Sequence, residues 1–202
     1  MSRYQICISG AHSGDTIEYA HQLAYDLGKA IAEAGHTTTT GATIGLPRYG
    51  ARGAKENGGL SVGFSPASSY REHVHTYRLP TKEFDYINFT GMDYVGRDVY
   101  LVRSSDALIT VGGEVGSLHE FSTAVESHKV IAVLLGSGGL ADFLPTLIDR
   151  LRVPHKEKII FDTDAQRIVK RVIEALDKEY ADFKDQLAGD VEEKPTNRKR
   201  GG

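Results

Sequence analysis

The sequence predicts a doubly wound α/β fold, a mostly parallel sheet of about seven strands flanked by helices, on three observations. Short apolar or β-branched runs alternate with longer stretches of helical period, as strand–helix units do. Glycine-bearing breaks follow three of the strand runs, at the end of the strand where open parallel sheets hold ligands. A length of 202 residues, 40% hydrophobic and 25% charged, suffices for one domain with a sizeable core.

The first strand is YQICIS (4–9). After Ser13-Gly14-Asp15, the residues Ala20, Leu23, Ala24, Leu27, Ile31 and Ala34 recur at helical spacing, and Gly35 supplies the stop. HTTTT (36–40) is the second strand, because four consecutive β-branched residues resist a helix. The run GATIGLPRYGARGAKENGG makes a glycine-punctuated turn and a short helix, and LSVGFS (60–65) is the third strand, closed by Pro66. Residues 67–82 are polar and without a clear period, which reads as a loop or lid. YINFT (86–90) is the fourth strand, and the helix after it carries Val95, Val99 and Val102, with Arg97 on a different face. DALITV (106–111), KVIAVLL (129–135) and KIIF (158–161) complete the sheet. A last helix from about 163 buries Ile168, Val169, Val172, Ile173, Leu176, Tyr180 and Phe183. The whole is a Rossmann-like single domain over 1–188, followed by a charged tail over 189–202 that is expected to be disordered.

Composition narrows the partners. With 24 basic and 27 acidic residues, the formal charge of −3 provides no broad field for a nucleic-acid backbone, so a small molecule is favoured and nucleic acid is not. The RKR of the tail is offset by Asp190, Glu192 and Glu193, a solubility pattern. Cys7 is the single cysteine, which excludes an intrachain disulfide and fits a thiol packed in a strand. No apolar run approaches a membrane span and no leader pattern opens the chain, so the expectation is a cytoplasmic protein without membrane contact.

The three glycine breaks are the candidate site. GAHSG (Gly10, Ser13) follows the first strand, GATIG (Gly41, Gly45) the second, and GGEVGS (Gly112, Gly113, Gly116, Ser117) the fifth. Gly116 and Ser117 open a helix, whose unpaired N–H groups and partial positive charge suit a phosphate. Glu120 stands one turn further on, leaning back towards the loop, placed either to meet ribose hydroxyls or to interact with the helix end itself. Familiar signatures fail. No G-x-G-x-x-G follows the first strand and no acid ends the second, which argues against a standard dinucleotide dehydrogenase, and no G-x-x-x-x-G-K-[S/T] is present. Neither His73-Val-His75 nor His119-Glu120 has a further ligand at metal spacing, so no metal is expected.

These motifs resemble those of the LOG (Lonely Guy) family, also labelled "possible lysine decarboxylase", and of its broader nucleotide-binding relatives, which include molybdenum-cofactor-carrier-like proteins. GGEVGSLHE is similar to the family's P-G-G-x-G-T-x-x-E, with Gly113, Gly116, Ser117 and Glu120 on matching positions. GAHSG is similar to G-S-S-x-G, and residues 41–66 follow the family's G-G-x-x-G-L-M…G-G-x-V-x-G-x-x-P stretch. Arg97 falls on the family's functional arginine. Three positions depart: Gly112 for the proline, Glu114 for the second glycine, and Asp98 for the lysine after the arginine. The resemblance implies hydrolysis of the N-glycosidic bond of a nucleoside 5′-monophosphate to free base and ribose 5-phosphate, with Arg97 and Glu120 catalytic. It also implies no metal or redox cofactor and a homodimer. The alternative expectation is a non-catalytic nucleotide-sensing or carrier-like binding protein, which Glu114 and Asp98 favour. A pyridoxal-phosphate lysine site for decarboxylation is not evident.

Overall fold

The structure, a computed structural model, describes residues 3–181. Seven strands form one all-parallel sheet: β1 (Gln5–Gly10), β2 (Thr37–Thr40), β3 (Leu60–Ser65), β4 (Tyr86–Phe89), β5 (Ala107–Val111), β6 (Val130–Leu134) and β7 (Ile160–Asp162). Their spatial order is β4-β3-β2-β1-β5-β6-β7. Seven helices intervene: α1 (Thr16–Glu33), α2 (Leu46–Glu56), α3 (Tyr70–His75), α4 (Asp93–Ser104), α5 (Val115–Glu126), α6 (Gly139–Arg150) and α7 (Ala165–Glu179). The chain winds outward from β1 to β4 and returns to lay β5 on the other side of β1, so the β1–α1 and β5–α5 loops diverge at a topological switch point.

Two apolar layers hold the helices to the sheet. Ile6, Ile8, Leu27, Ile31, Ile109, Ile168 and Val172 make one core, beneath α1 and α7. Cys7, Leu101, Leu108, Phe121, Val133 and Leu144 make the other, beneath α4, α5 and α6. The alternation Ile6, Cys7, Ile8 thus sends side chains to opposite faces, as strand geometry requires. Burial pushes the Cys7 thiol well up, in keeping with a packing role. The four threonines of β2 are all buried; Thr39 bonds Ser105 at 2.7 Å, and Thr40 accepts from the Ala42 N–H.

The architecture matches the sequence expectation, with three local differences. Residues 67–82 are not wholly irregular, since α3 lies within them, capped by the Ser69 side chain accepting from Glu72 N–H while Glu72 accepts from Ser68 N–H. The sequence reading leaves 136–157 unassigned, yet α6 forms there, burying Leu140, Ala141, Leu144 and Ile148 despite an interior Pro145. On α4 the inward face is Arg97, Asp98, Leu101 and Val102, and Val95 is 69% exposed. In α7 the expected residues Ile168, Val169, Val172 and Leu176 are buried, whereas Phe183 and the charged tail lie outside the described residues. Among the described residues no helix is long and apolar enough to cross a membrane.

Candidate functional site

At the carboxyl ends of β1, β2 and β5 the loops enclose a cavity of about 230 Å³. Of the residues singled out in the sequence, Gly10, Gly41, Arg97, Gly116, Ser117 and Glu120 line it, as do the two departures Asp98 and Glu114. Ser13 is exposed beyond His12, which does line the cavity. Gly45, Gly112 and Gly113 stand behind the wall and shape it. Gly45 is the N-cap of α2 and packs on the backbone of Ala11 and His12. Gly112 and Gly113, at φ +56° and +98°, turn the chain out of β5 in a conformation that other residues adopt at a cost.

The α5 N-terminus forms one wall. The first N–H with an acceptor inside the helix is that of Leu118, which bonds Glu114 O at 3.0 Å. The N–H groups of Val115, Gly116 and Ser117 precede it and have no intrahelical partner. Space above Gly116 is open. The helix begins one residue earlier than Gly116, with Glu114 as N-cap in extended conformation and no side-chain cap bond. Glu114 reaches instead across the mouth, its Oε1 filling the space where a Cβ on Gly14 would stand.

One turn further along the same helix is a buried ionisable group. Glu120 is 8% exposed, and its carboxylate accepts a short hydrogen bond from the Ser9 hydroxyl. Burial, and then the nearby Asp98 carboxylate, push Glu120 up to about 7, against opposing contributions from Arg97, Ser9 and His119. Arg97 is buried on α4, donating from a terminal nitrogen to Phe64 O at 3.3 Å. Its Nε lies 3.2 Å from Asp98 Oδ1 without the alignment of a hydrogen bond, leaving that donor unspent. The other Asp98 oxygen is 3.0 Å from His119 Nδ1. The guanidinium lies so close over Gly41 that a Cβ there would collide with it, which is the physical reason for glycine at the end of β2.

Sequence reasoning missed Ser9, Thr43, Tyr94 and His119 as residues at or beside the cavity. For Ser9 a signal was present, a hydroxyl at the carboxyl end of a strand that opens on a glycine loop. Tyr94 and His119 carried none, because their relation to the site depends on how α4 packs beside α5. His73, by contrast, is a fully buried packing residue, bonded to Ser65 Oγ (2.8 Å) and Pro80 O (2.9 Å). Among the described residues no group of three or more His, Cys, Asp or Glu is arranged to hold a metal ion.

Comparison with known proteins agrees with this architecture. The model of the SLOG cluster4 family matches residues 3–169. An uncharacterised protein of Archaeoglobus fulgidus is 36% identical over 134 residues, 66% of this chain and 82% of that protein. The solved structure of TM1055 is similar at a TM-score of 0.73 and 21% identity, covering 85% of this chain and 99% of that one, which speaks to the fold. The molybdenum cofactor carrier protein from Chlamydomonas reinhardtii is similar at a TM-score of 0.69 and 25% identity, covering 87% and 99%.

Proposed function

We propose that this chain, which belongs to the SLOG cluster4 family, binds a nucleoside 5′-monophosphate in the cavity at the ends of β1 and β5 and hydrolyses its N-glycosidic bond. The observation that carries the reading is the placement of a buried Glu120, beside Arg97, in one cavity with the open α5 N-terminus. The 5′-phosphate sits on the N–H groups of Val115, Gly116 and Ser117, where unpaired donors and the helix dipole favour an anion. Glu120 lies one turn below, within reach of the ribose.

The reaction adds water across the C1′–N bond: hydroxyl goes to C1′ and a proton goes to the departing base, giving free base and ribose 5-phosphate. The sugar becomes positively charged as the bond breaks. An ionised Glu120 stabilises that charge, and a protonated Glu120 can deliver the proton; with its pKa pushed up to about 7, both forms are populated at neutral pH. Ser9 orients the carboxyl, and Arg97, whose terminal nitrogens lie over Gly41 at the cavity wall, meets the substrate with its guanidinium. No metal or redox cofactor is needed by this scheme. The exposed Met92, Tyr94 and Val95 at the start of α4, beside the cavity, support the homodimer implied by the LOG resemblance, with an interface bordering the site.

A second reading, binding or carriage without turnover, is favoured by two particular residues. Asp98 takes up much of the charge of Arg97, and Glu114 brings a carboxylate to the phosphate end. The likeness to a protein named as a molybdenum cofactor carrier points the same way. Incubation with a panel of nucleoside monophosphates, with free base and ribose 5-phosphate quantified by chromatography, decides between them. Base release from at least one member is expected. Calorimetric binding of monophosphates with no base released from any would replace the hydrolase by the binding protein.

A further inference from the structure

A second cleft, about 740 Å³ against about 230 Å³ for the cavity above, lies at the opposite end of the sheet. It arises from a mismatch in strand length. β6 pairs with β5 along its whole length, from Ala107↔Val130 onward. On its other side β7 joins it only from Ala132↔Ile160, so Val130 and Ile131 have no strand beside them there. The segment before β7 bows away through Pro154 and His155, while the last turns of α7 close the far side with Ala175 and Lys178.

The floor and the rim of this cleft have different chemistry. Val125, Val130, Ile131, Ile159 and Ala175 make an apolar floor. Around it stand Lys129, Lys158, Lys178, His128 and His155, with Glu179 as the single acid among the lining residues. That is three lysines to one carboxylate, in a chain whose formal charge is −3. Lys129 donates to the backbone carbonyl of Arg103 at 3.0 Å, which holds it at the edge. Lys158 and Lys178 make no ion pair with a carboxylate among the described residues. Both histidines adopt left-handed backbone conformations, φ +54° at His128 and +53° at His155, which places them on tight turns at opposite lips.

We propose that this cleft is a second binding site, distinct from the nucleotide cavity and independent of the reading given to it, for a soluble amphipathic organic anion. The apolar body rests on Val130, Ile131 and Ile159, and a carboxylate or phosphate end is held by Lys158 and Lys178. The volume lies in the range that encloses a drug-sized ligand, which on the order of 300–1,000 Å³ accommodates. Burial of the apolar part supplies most of the affinity, and the lysines supply selection for the anion.

The test uses the full chain and anilinonaphthalene sulfonate, a fluorescent aromatic sulfonate, as probe. Saturable fluorescence enhancement is expected, with amide shifts in the NMR spectrum at Val130 and Ile131 and displacement by decyl phosphate. Neither decanol nor inorganic phosphate should displace the probe at the same concentration, because each supplies one half of the chemistry. Lys158→Glu/Lys178→Glu should weaken the probe about tenfold or more at low salt, with an unchanged melting temperature, since both side chains are exposed. Ala175→Trp, which fills the cleft without altering charge, should abolish binding. Displacement of the probe by AMP would place it in the nucleotide cavity and overturn the proposal. So would unaltered affinity in both variants, or binding confined to phosphatidylglycerol vesicles, which would make the rim a membrane contact.

Discussion

Two helices start side by side at the carboxyl rim of the sheet, each from a glycine-rich loop, and they spend their N-termini differently. At α6, Leu140 N–H donates to Gly113 O and Ala141 N–H to Gly112 O, both at 2.8 Å. The loop N–H groups of Gly136 and Gly138 are taken by the Asp142 carboxylate at 2.6 and 3.0 Å. At α5 the N–H groups of Val115, Gly116 and Ser117 face a cavity instead. The comparison teaches that a helix N-terminus becomes an anion site only where the fold leaves its donors unspent. Here the α6 end is consumed in fixing the Gly112–Gly113 turn that aims α5, so one helix start is the scaffold of the other.

The largest expected effect lies at the α5 end. Glu120→Gln keeps size and hydrogen bonding but removes the charge that a positive sugar would feel, so kcat for base release should fall on the order of 10²-fold or more. Monophosphate affinity should stay within a few fold. Equal rates for the two proteins would remove Glu120 from catalysis and leave α5 only a binding role.

Next in size is a pH effect confined to the same end. Glu120 holds its proton more tightly when folded, at about 7, than the ordinary 4.5 of an unfolded glutamate. Between those values the folded state binds the extra proton, so stability is greatest below about 4.5 and declines as pH rises through 7. The decline attributable to this group is on the order of 2–3 kcal/mol. Urea unfolding at pH 5 and pH 8 should show it in the wild type and not in Glu120→Gln. A pH dependence that survives the substitution would assign it to another group.

A paired substitution then separates the two helix starts directly. Gly116→Asp, placed where space is open, should weaken monophosphate binding about tenfold or more by repulsion while leaving stability nearly unchanged. Asp142→Ala should do the reverse, lowering stability by about 1 kcal/mol through loss of the loop cap, with affinity unchanged. Calorimetry and denaturant unfolding of both variants would break the comparison if the two effects came out alike.

The smallest effect concerns the carboxylate at the mouth. Glu114→Gly should tighten monophosphate binding by about threefold, visible chiefly at low salt, because the side chain is exposed and screened. Unchanged affinity at low ionic strength would mean that Glu114 does not feel the phosphate.

Much of this was readable in advance, for reasons that differ from residue to residue. The strand–helix alternation and the buried position of Cys7 follow from periodicity, because a strand covered on both faces, such as β1 or β5, reads as a short apolar run. The cap of α3 was also written in Ser69 and Glu72, three apart, though the polar character of 67–82 obscures it. α6 was harder, since Pro145 interrupts the local preference and only packing of Leu140, Leu144 and Ile148 on the sheet sustains the helix.

By itself the sequence determined the winding of the sheet, the rim on which the glycine loops meet, and the helix position of Glu120. These are local matters of spacing, strand direction and backbone freedom. The tertiary structure decided which of those features meet at one cavity. It turned Arg97 and Asp98 inward and Val95 outward, set Ser9 against Glu120, and left the first N–H groups of α5 unspent while consuming those of α6. It also opened the cleft below Val130, where β7 falls short of β6. Each of these depends on burial and on partners distant in the chain, and the charge state of a carboxylate or the availability of a donor is set by what surrounds it in space.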